Sequence, residues 1–536
     1  MSASSKDGPI VNYNGEIYTQ DDNIYIKKDD QSKNIILCFD GTENEFGPKP
    51  FTNVLKLFRL LERDNKNQLC YYQPGIGSSY HADLDDSFER SFKSTTLSRI
   101  SNRFDAFVAF TLENHVMTAY SFLSKVYNTN DKIYLFGFRY VCINFTARII
   151  AGMIELVGLV NTGLDEMTPL AWNIYTSWEY HGQPVQIEHM TAVMANEFKK
   201  TFSRTNTRIF FMGLWDSVNS VGVLWDRIFP YTIRTSNVDH VRHAVSLDER
   251  RAKFKQQLFA PTEFKENHVD DSMSYIHLVM ALSWGQLLRY LIDALTGWKK
   301  RPLASINDLE EVYFPGNHGD IGGGWEPTPE GSFLSDVSFR WMLAQAVKFG
   351  VRFQKGAVRQ WSSDFPSVSS FLAYHHDLLS PIKKCPERTP KSGLPETPIK
   401  RFIGRAEDGC YYSLLWWLLE FIPFFTTMED KSGHWKRVPQ PNLGRSRTIA
   451  ESSSLHWSIF YRLHYIWDYN PKNIPTKSFG DQFVRSLQNF KEFKSSDIRK
   501  YAQDLSIAKI QKDWKSDFWK KIPDELEEII KKNPNI

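Results

Sequence analysis

The chain has 536 residues, enough for two or three average domains or for one large α/β domain with appendages. A net charge of +3, from 65 basic and 62 acidic side chains, gives no support to nucleic-acid binding, which calls for a concentrated basic face. Hydrophobic content of 42% suits a globular protein, and 14% aromatic residues point to broad apolar surfaces or pockets.

The predicted elements begin after a polar stretch, residues 1–32, expected to be a flexible tail. Asn34–Phe39 (NIILCF) is a short apolar run of buried-strand type, broken by Asp40-Gly41-Thr42. Thr52 and Asn53 can cap a helix whose apolar face uses Val54, Leu57, Phe58 and Leu61. Leu69–Gln73 reads as a second strand, and Val116–Tyr127 as an amphipathic helix. Lys132–Phe136 is a third strand, Arg208–Gly213 a fourth and Glu311–Phe314 a fifth, with a helix over 145–158. Ser335–Phe349 reads as a helix with Ser335 as its cap. Strand and helix in alternation imply an α/β fold: a mostly parallel sheet with helices on both faces. The expected divisions are a tail over 1–32, a catalytic-type domain over 33–350 with a helical insertion at 245–310, an extension over 351–475 packing on the core, and a charged, solvated helical tail over 476–536.

The five cysteines are odd in number and form no Cys-x-x-Cys pair. That argues against a disulfide framework or a zinc site and for a reducing, cytoplasmic setting. The first residues lack the apolar core of a secretory signal. No run reaches the roughly 18 apolar residues of a membrane span. Met273–Leu288 and Tyr411–Phe425 come partway, and each reads either as a core helix or as a lid or interfacial helix in peripheral contact with a membrane.

Phe136–Met153 carries a strand pattern into a glycine and then into a helix pattern. A Gly-x-Ser-x-Gly nucleophile elbow falls at such a junction. Here Gly137 and Phe138 are followed by Arg139, Tyr140, Val141 and Cys142, with no serine and no second glycine. Bulky and β-branched side chains suit that strained turn poorly. Cys142 is a nucleophile by chemistry, but its register is wrong from either flank.

Two further groups fit acyl-transfer chemistry. Asp216 lies just past the fourth strand, where a carboxylate can hold the productive tautomer of a histidine. His318 lies just past the fifth strand on a glycine-rich loop, Gly316 to Gly324, and is the base candidate. Asp320 is its candidate supporting group. Asp40, Gly41 and Thr42 form an early strand-to-helix loop of the kind that lends a backbone N–H to an oxyanion hole. A metal-dependent phosphohydrolase using Asp40, Asp216, Asp320 and His318 is a weaker reading, because Asp40-Gly41-Thr42 lacks the second aspartate of a phospho-aspartate motif.

In order along residues 33–350, CFDGTEN, TNVLKLFRLL, YYQPGIGS, YLFGF, FTARIIAGMIELVGLV, MGLWDSVNSVG, HAVSLDERRAKF and VYFPGNHGDIGGGW resemble one family. It is the α/β-hydrolase domain shared by type VI secretion phospholipase effectors and related fungal and bacterial proteins. The resemblance implies a serine hydrolase of acyl esters, with a lipid or other acyl-ester substrate and no cofactor or metal. It maps the acid onto Asp216 and the base onto His318. The family's elbow reads Gly-Phe-Ser-Arg-Gly-Ala before Phe-Thr-Ala-Arg, so the present segment is two residues longer and lacks the nucleophile. An inactive enzyme is therefore expected of the sequence as it stands, through natural loss of the serine or through a misplaced exon edge in the gene's reading. A non-catalytic binding or scaffold protein on the same fold is the alternative.

Overall fold

The computed structural model describes residues 10–11, 17–21, 24–27, 32–41, 50–74, 97–138, 144–177, 190–218, 229, 232, 237–259, 308–380, 409–422, 424–429, 435–451, 453–466, 469–475, 478–487, 495–513 and 517–536. Its centre is a seven-stranded sheet. The strands are β1 (Asn34–Phe39), β2 (Gln68–Gln73), β3 (Lys132–Phe138), β4 (Ile209–Trp215), β5 (Val238–Ser246), β6 (Asp308–Phe314) and β7 (Ser454–Leu455). They lie side by side as β7-β6-β5-β4-β3-β1-β2, and every pairing is parallel. The chain runs from β1 to β2 on one side, then returns to place β3 on the other. That reversal leaves a crevice beyond the carboxyl ends of β1 and β3, where such sheets bind ligands.

Alternation along each strand sends apolar side chains to two cores. Ile36, Cys38, Tyr134 and Phe136 pack on one face with helices α1 (Asn53–Leu60) and α5 (Ser335–Lys348). Ile35, Leu37, Phe39, Ile133 and Leu135 pack on the other with α2 (Leu97–Val126) and α3 (Asn144–Val157). Thr52 caps α1 as expected, accepting the Leu55 N–H at 3.2 Å. Ser335 instead lies inside α5, which begins after an uncapped Leu334.

Several expectations need correction. Three short antiparallel strands, Ile10–Val11, Ile17–Asp21 and Ile24–Lys27, occupy the stretch read as a flexible tail. Tyr18-Thr19 and Tyr25-Ile26 supply β-prone residues. Strand β5 was not legible, because His240, Arg242 and His243 interrupt its apolar run. The helical insertion expected at 245–310 loses both ends: 245–246 close β5 and 308–310 open β6. Residues 247–259 are non-helical, and 260–307, including the apolar stretch 273–288, lie outside the described residues. The C-terminal segment is helical but not solvated. Phe479, Phe483, Ile510, Trp519 and Leu526 are buried in the same core as β3 and α5. Its charges lie on one side of short amphipathic helices, so composition alone hid the apolar side.

Candidate active site

Strand register brings the candidate loops to one rim. Gly137 sits between Phe39 and Leu214, and Phe138 pairs with Trp215. Asp40 leaves β1 level with Phe138 and Trp215, and Asp216 leaves β4 one residue further on, so both emerge at this rim.

Asp216 adopts a left-handed backbone, φ 42°, uncommon for a residue other than glycine. Its N–H donates to Ala244 O at 2.6 Å, and the following Ser217 N–H donates to His243 Nε2 at 2.9 Å. His243 is oriented by Glu311 Oε1, 2.8 Å from Nδ1. These bonds hold the strained turn. The carboxylate is fully buried. Oδ1 accepts Ser246 N at 2.8 Å and Arg447 Nη1 at 2.6 Å, while Oδ2 lies 3.0 Å from Arg447 Nη2 and 2.7 Å from His318 Nδ1. Burial pushes this carboxyl's pKa up, but the Arg447 charge and the His318 hydrogen bond outweigh it and hold it well below the usual carboxylate range.

His318 opens a short helix, α4 (His318–Gly322), closed at its start by a capping box. Asn317 Oδ1 accepts the Asp320 N–H at 3.0 Å, and Asp320 Oδ2 accepts the Asn317 N–H at 3.0 Å. Asp320 also accepts from His376 Nδ1 at 2.7 Å and from the His376 N–H at 2.9 Å. Asp320 thus shapes the turn that carries His318 and ties it to the extension. The His318 N–H donates to Glu249 Oε2 at 3.1 Å, and Glu249 is gripped by Arg251 at 2.7 and 2.9 Å. The imidazole lies against the rings of Phe138 and Phe254, at centroid distances of 4.8 and 5.0 Å. Burial pushes its pKa down, with Asp216 pulling part of the way back, so the ring is neutral near pH 7. An ionised carboxylate only accepts, so Nδ1 carries the proton and Nε2 the free lone pair. Nε2 is buried and has no hydrogen-bond partner among the described residues.

The other sequence candidates divide. Asp40 Oδ2 accepts the hydroxyls of Thr52 and Tyr72, each at 2.7 Å, and so links β1 to the cap of α1 and to β2. Asn53 continues that link, donating to Ile321 O at 2.8 Å and Ser335 O at 2.9 Å. Gly41 is buried beside Asp40, and Thr42 lies outside the described residues. Gly137 and Phe138 end β3, and Arg139, Tyr140, Val141 and Cys142 lie outside the described residues. Among the described residues no three His, Cys, Asp or Glu side chains gather as a metal site. Asp216 is engaged by Arg447 and Asp320 by His376, which leaves the metal reading no shared centre. A cavity of about 240 Å³ under α5, lined by Arg242, Arg340, Trp341 and Glu525, includes none of the candidate residues.

Sequence reasoning missed Arg447, Glu249, Arg251 and His376 as contributors. Glu249 and Arg251 stand within HAVSLDERRAKF, a motif already noted. Arg447 sits in an irregular segment with no pattern to mark it.

A parallel, doubly wound sheet with a buried carboxylate–imidazole pair beyond its carboxyl ends defines an α/β protein whose polar centre stands where such sheets bind ligands. The sequence profile of the type VI secretion phospholipase effector Tle1-like catalytic domain matches residues 33–345. The chain belongs to this family. It is 38% identical over 580 aligned positions to the uncharacterized protein YEL023C of Saccharomyces cerevisiae, covering 87% of this chain and 83% of that protein. Among solved structures it is similar to an uncharacterized protein from Pseudomonas aeruginosa, with 16% identity and a TM-score of 0.30, covering 60% of this chain and 47% of that one. The Tle1 effector bound to the VgrG spike of the type VI secretion system gives 15% identity and a TM-score of 0.25, covering 58% of this chain and 55% of that one. Each match thus spans about half of the solved chain.

Proposed function

We propose that Asp216 and His318 are the acid–base pair of a serine-hydrolase-type site for acyl esters, with phospholipid as the substrate class, and that the chain as written lacks the nucleophile to use it. The observation that carries this reading is the buried 2.7 Å contact of Asp216 Oδ2 with His318 Nδ1, which leaves Nε2 unpartnered among the described residues. In ester hydrolysis that nitrogen would take the proton of a serine hydroxyl attacking the acyl carbon, and return it to the departing alcohol. Its neighbour along the sheet rim is Phe138, the residue that precedes the family's serine. The next residue in this chain is Arg139, which offers no hydroxyl of its own.

The test uses a fluorophosphonate probe and fatty-acid release from phospholipid vesicles. The chain as written is expected to remain unlabelled and inert. A chain in which residues 139–144 are replaced by Ser-Arg-Gly-Ala is expected to be labelled at the new serine and to release fatty acid. Labelling of the original chain overturns the loss of the nucleophile. A folded but unreactive restored chain overturns the acid–base assignment.

The missing serine favours a second reading of the same site, a non-catalytic binder of lipid. Specific binding of a phospholipid or ester analogue by the unrestored chain, abolished by His318→Ala, would support it. For location we propose the cytoplasm with peripheral membrane contact. Two observations favour this: free thiols at Cys38 and Cys70, and an exposed apolar stripe on the helix next to the site. Among the described residues no helix is long and apolar enough to cross a membrane.

A further inference from the structure

Arg447 lies about a hundred residues beyond the end of the family-matched region at residue 345, yet it reaches the centre of the candidate site. Its guanidinium forks onto Asp216, Nη1 to Oδ1 at 2.6 Å and Nη2 to Oδ2 at 3.0 Å. Nε donates to Phe254 O at 3.0 Å, Nη1 also to Ser246 O at 3.1 Å, and Nη2 also to Phe254 O. Both partners are almost wholly buried. Asn473 then clips the segment in place, donating to Arg447 O at 3.1 Å and to Leu247 O at 2.8 Å.

A carboxylate whose only task is to orient a histidine needs one acceptor oxygen for it. A buried ion pair is often no more stabilising than well-packed apolar residues, so stability alone is a weak reason to keep one. The fork does two other things. It fixes the rotation of the carboxylate, because two parallel N–H···O bonds admit one geometry. It also places a permanent positive charge next to the anion that faces the imidazole.

We propose that Arg447 is a positioning residue for the Asp216–His318 pair, locking the carboxylate plane and restraining protonation of His318, so that the extension beyond residue 345 forms part of the site. The proposal rests on the acid–base reading of that pair. The charged groups that act on His318 are Asp216 from the end of β4 and Glu249 and Arg251 from the segment after β5; Asp320, on its own helix, is turned to the Asn317 N–H, and Arg447 to Asp216. Glu249 is neutralised locally by Arg251, and Asp320 is bonded to His376. Burial and Asp216 weigh most at the imidazole, Arg251 and Glu249 follow in opposite directions, and Arg447 reaches it through Asp216. Removing the guanidinium frees the carboxylate to stabilise an imidazolium, and the pair then takes up its proton at higher pH.

The test is an NMR titration of His318 in the full-length chain as written, labelled with ¹⁵N-histidine. It needs no serine and no turnover. Arg447→Gln keeps a donor and removes the charge; it should raise the titration midpoint by about one pH unit. Arg447→Lys keeps the charge and loses the fork. It should leave the midpoint near that of the parent and shift the downfield Nδ1 proton resonance, which reports the geometry of the bond to Asp216. A staple that merely holds the extension would lower the melting temperature in both variants without moving midpoint or resonance, and that result overturns the proposal. Should Arg447→Gln not fold, the Nδ1 resonance of Arg447→Lys decides alone: an unmoved signal overturns the proposal. Failure of the acid–base reading shows separately, as an inert serine-restored chain with Arg447 intact.

Discussion

The ring of Phe138 stands 4.8 Å from the imidazole of His318, and it is held there by the absence of a side chain at Gly322. A Cβ on Gly322 would fall 1.8 Å from Phe138 Cε2 and 1.9 Å from Cδ2. Phe138 is itself buried against the sheet, so the ring has little room to yield. Residue 322 thus transmits the position of α4 to the end of β3.

Gly322→Ala is expected to destabilise the fold by about 2 kcal/mol, because overpacking outweighs the modest helix preference of alanine. Urea unfolding would measure it. Phe138→Leu combined with Gly322→Ala should recover part of the loss, since the smaller side chain removes the overlap. Additive costs in the double variant would show that the two residues do not meet as described.

The pH dependence of stability follows from buried imidazoles. Burial lowers the pKa of His456 from its ordinary 6.5 to about 3, and pushes those of His243 and His318 down as well. An imidazole whose pKa is lower in the folded state leaves the unfolded chain binding more protons, so stability falls as pH drops below the unfolded value. Glu249 works lower down. Burial raises its pKa, but Arg251 brings it to about 2, so its contribution is present above the unfolded carboxylate value and is lost only as acid approaches that lower pKa. Asp248, with its pKa raised by burial, acts in the opposite sense. Between pH 7 and pH 5 the histidines dominate. His456 accepts the Ser458 N–H as the cap of the helix Trp457–Tyr465, a role asparagine can fill. His456→Asn should therefore flatten the fall in unfolding free energy between pH 7 and pH 4, by about 3 kcal/mol at the acid end, as read from urea unfolding at each pH. An unchanged slope would remove His456 from the account.

How much of this was legible in the sequence depended on pattern. Asp216 and His318 could be found because each follows a continuous apolar strand, where a parallel sheet places its working loops. Thr52 could be found because a hydroxyl before an amphipathic run is a cap. Strand β5 was hidden because three polar side chains, His240, Arg242 and His243, sit in the sheet on partners such as Glu311, Asp308 and Gln345 that only the fold supplies. Arg447 left no local trace, since its meaning lies in a partner 231 residues away. The C-terminal helices were misjudged because short helices can bury Phe483 or Trp519 while most of their residues stay charged.

A buried carboxylate ties the end of the apolar helix α6 (Gly409–Glu420) to the shell of the site. Glu420 is fully buried and accepts Ala252 N at 2.5 Å, Asn442 Nδ2 at 2.5 Å and Gly444 N at 2.9 Å. Glu420→Ala strands the buried N–H groups of Ala252 and Gly444 and leaves Asn442 Nδ2 only its bond to Arg250 O at 2.6 Å, at an expected cost of about 3 kcal/mol. The loss should be local, because the sheet core does not depend on α6. Hydrogen exchange is expected to rise over 409–420 and 249–259 while β3 and β4 remain protected. Uniform loss of protection would show that α6 is integral to the core.

The two sides of α6 differ in a way that bears on lipid contact. Trp416 faces inward, its ring 5.8 Å from Phe254, which in turn touches His318. Leu414 and Leu418, at i and i+4, and Phe421 in the turn just past the helix are exposed over 58, 59 and 62% of their surface. One apolar stripe open to water beside a candidate ester site suits a peripheral contact with a bilayer surface. Replacing all three by serine should leave the fold intact, since none is buried. It should weaken co-sedimentation with phosphatidylcholine–phosphatidylserine vesicles about tenfold or more, by removing apolar area that would enter the interface. If the parent chain does not bind vesicles, or the triple variant binds as well as the parent, α6 is not the contact, and the exposed stripe must be covered by something other than lipid.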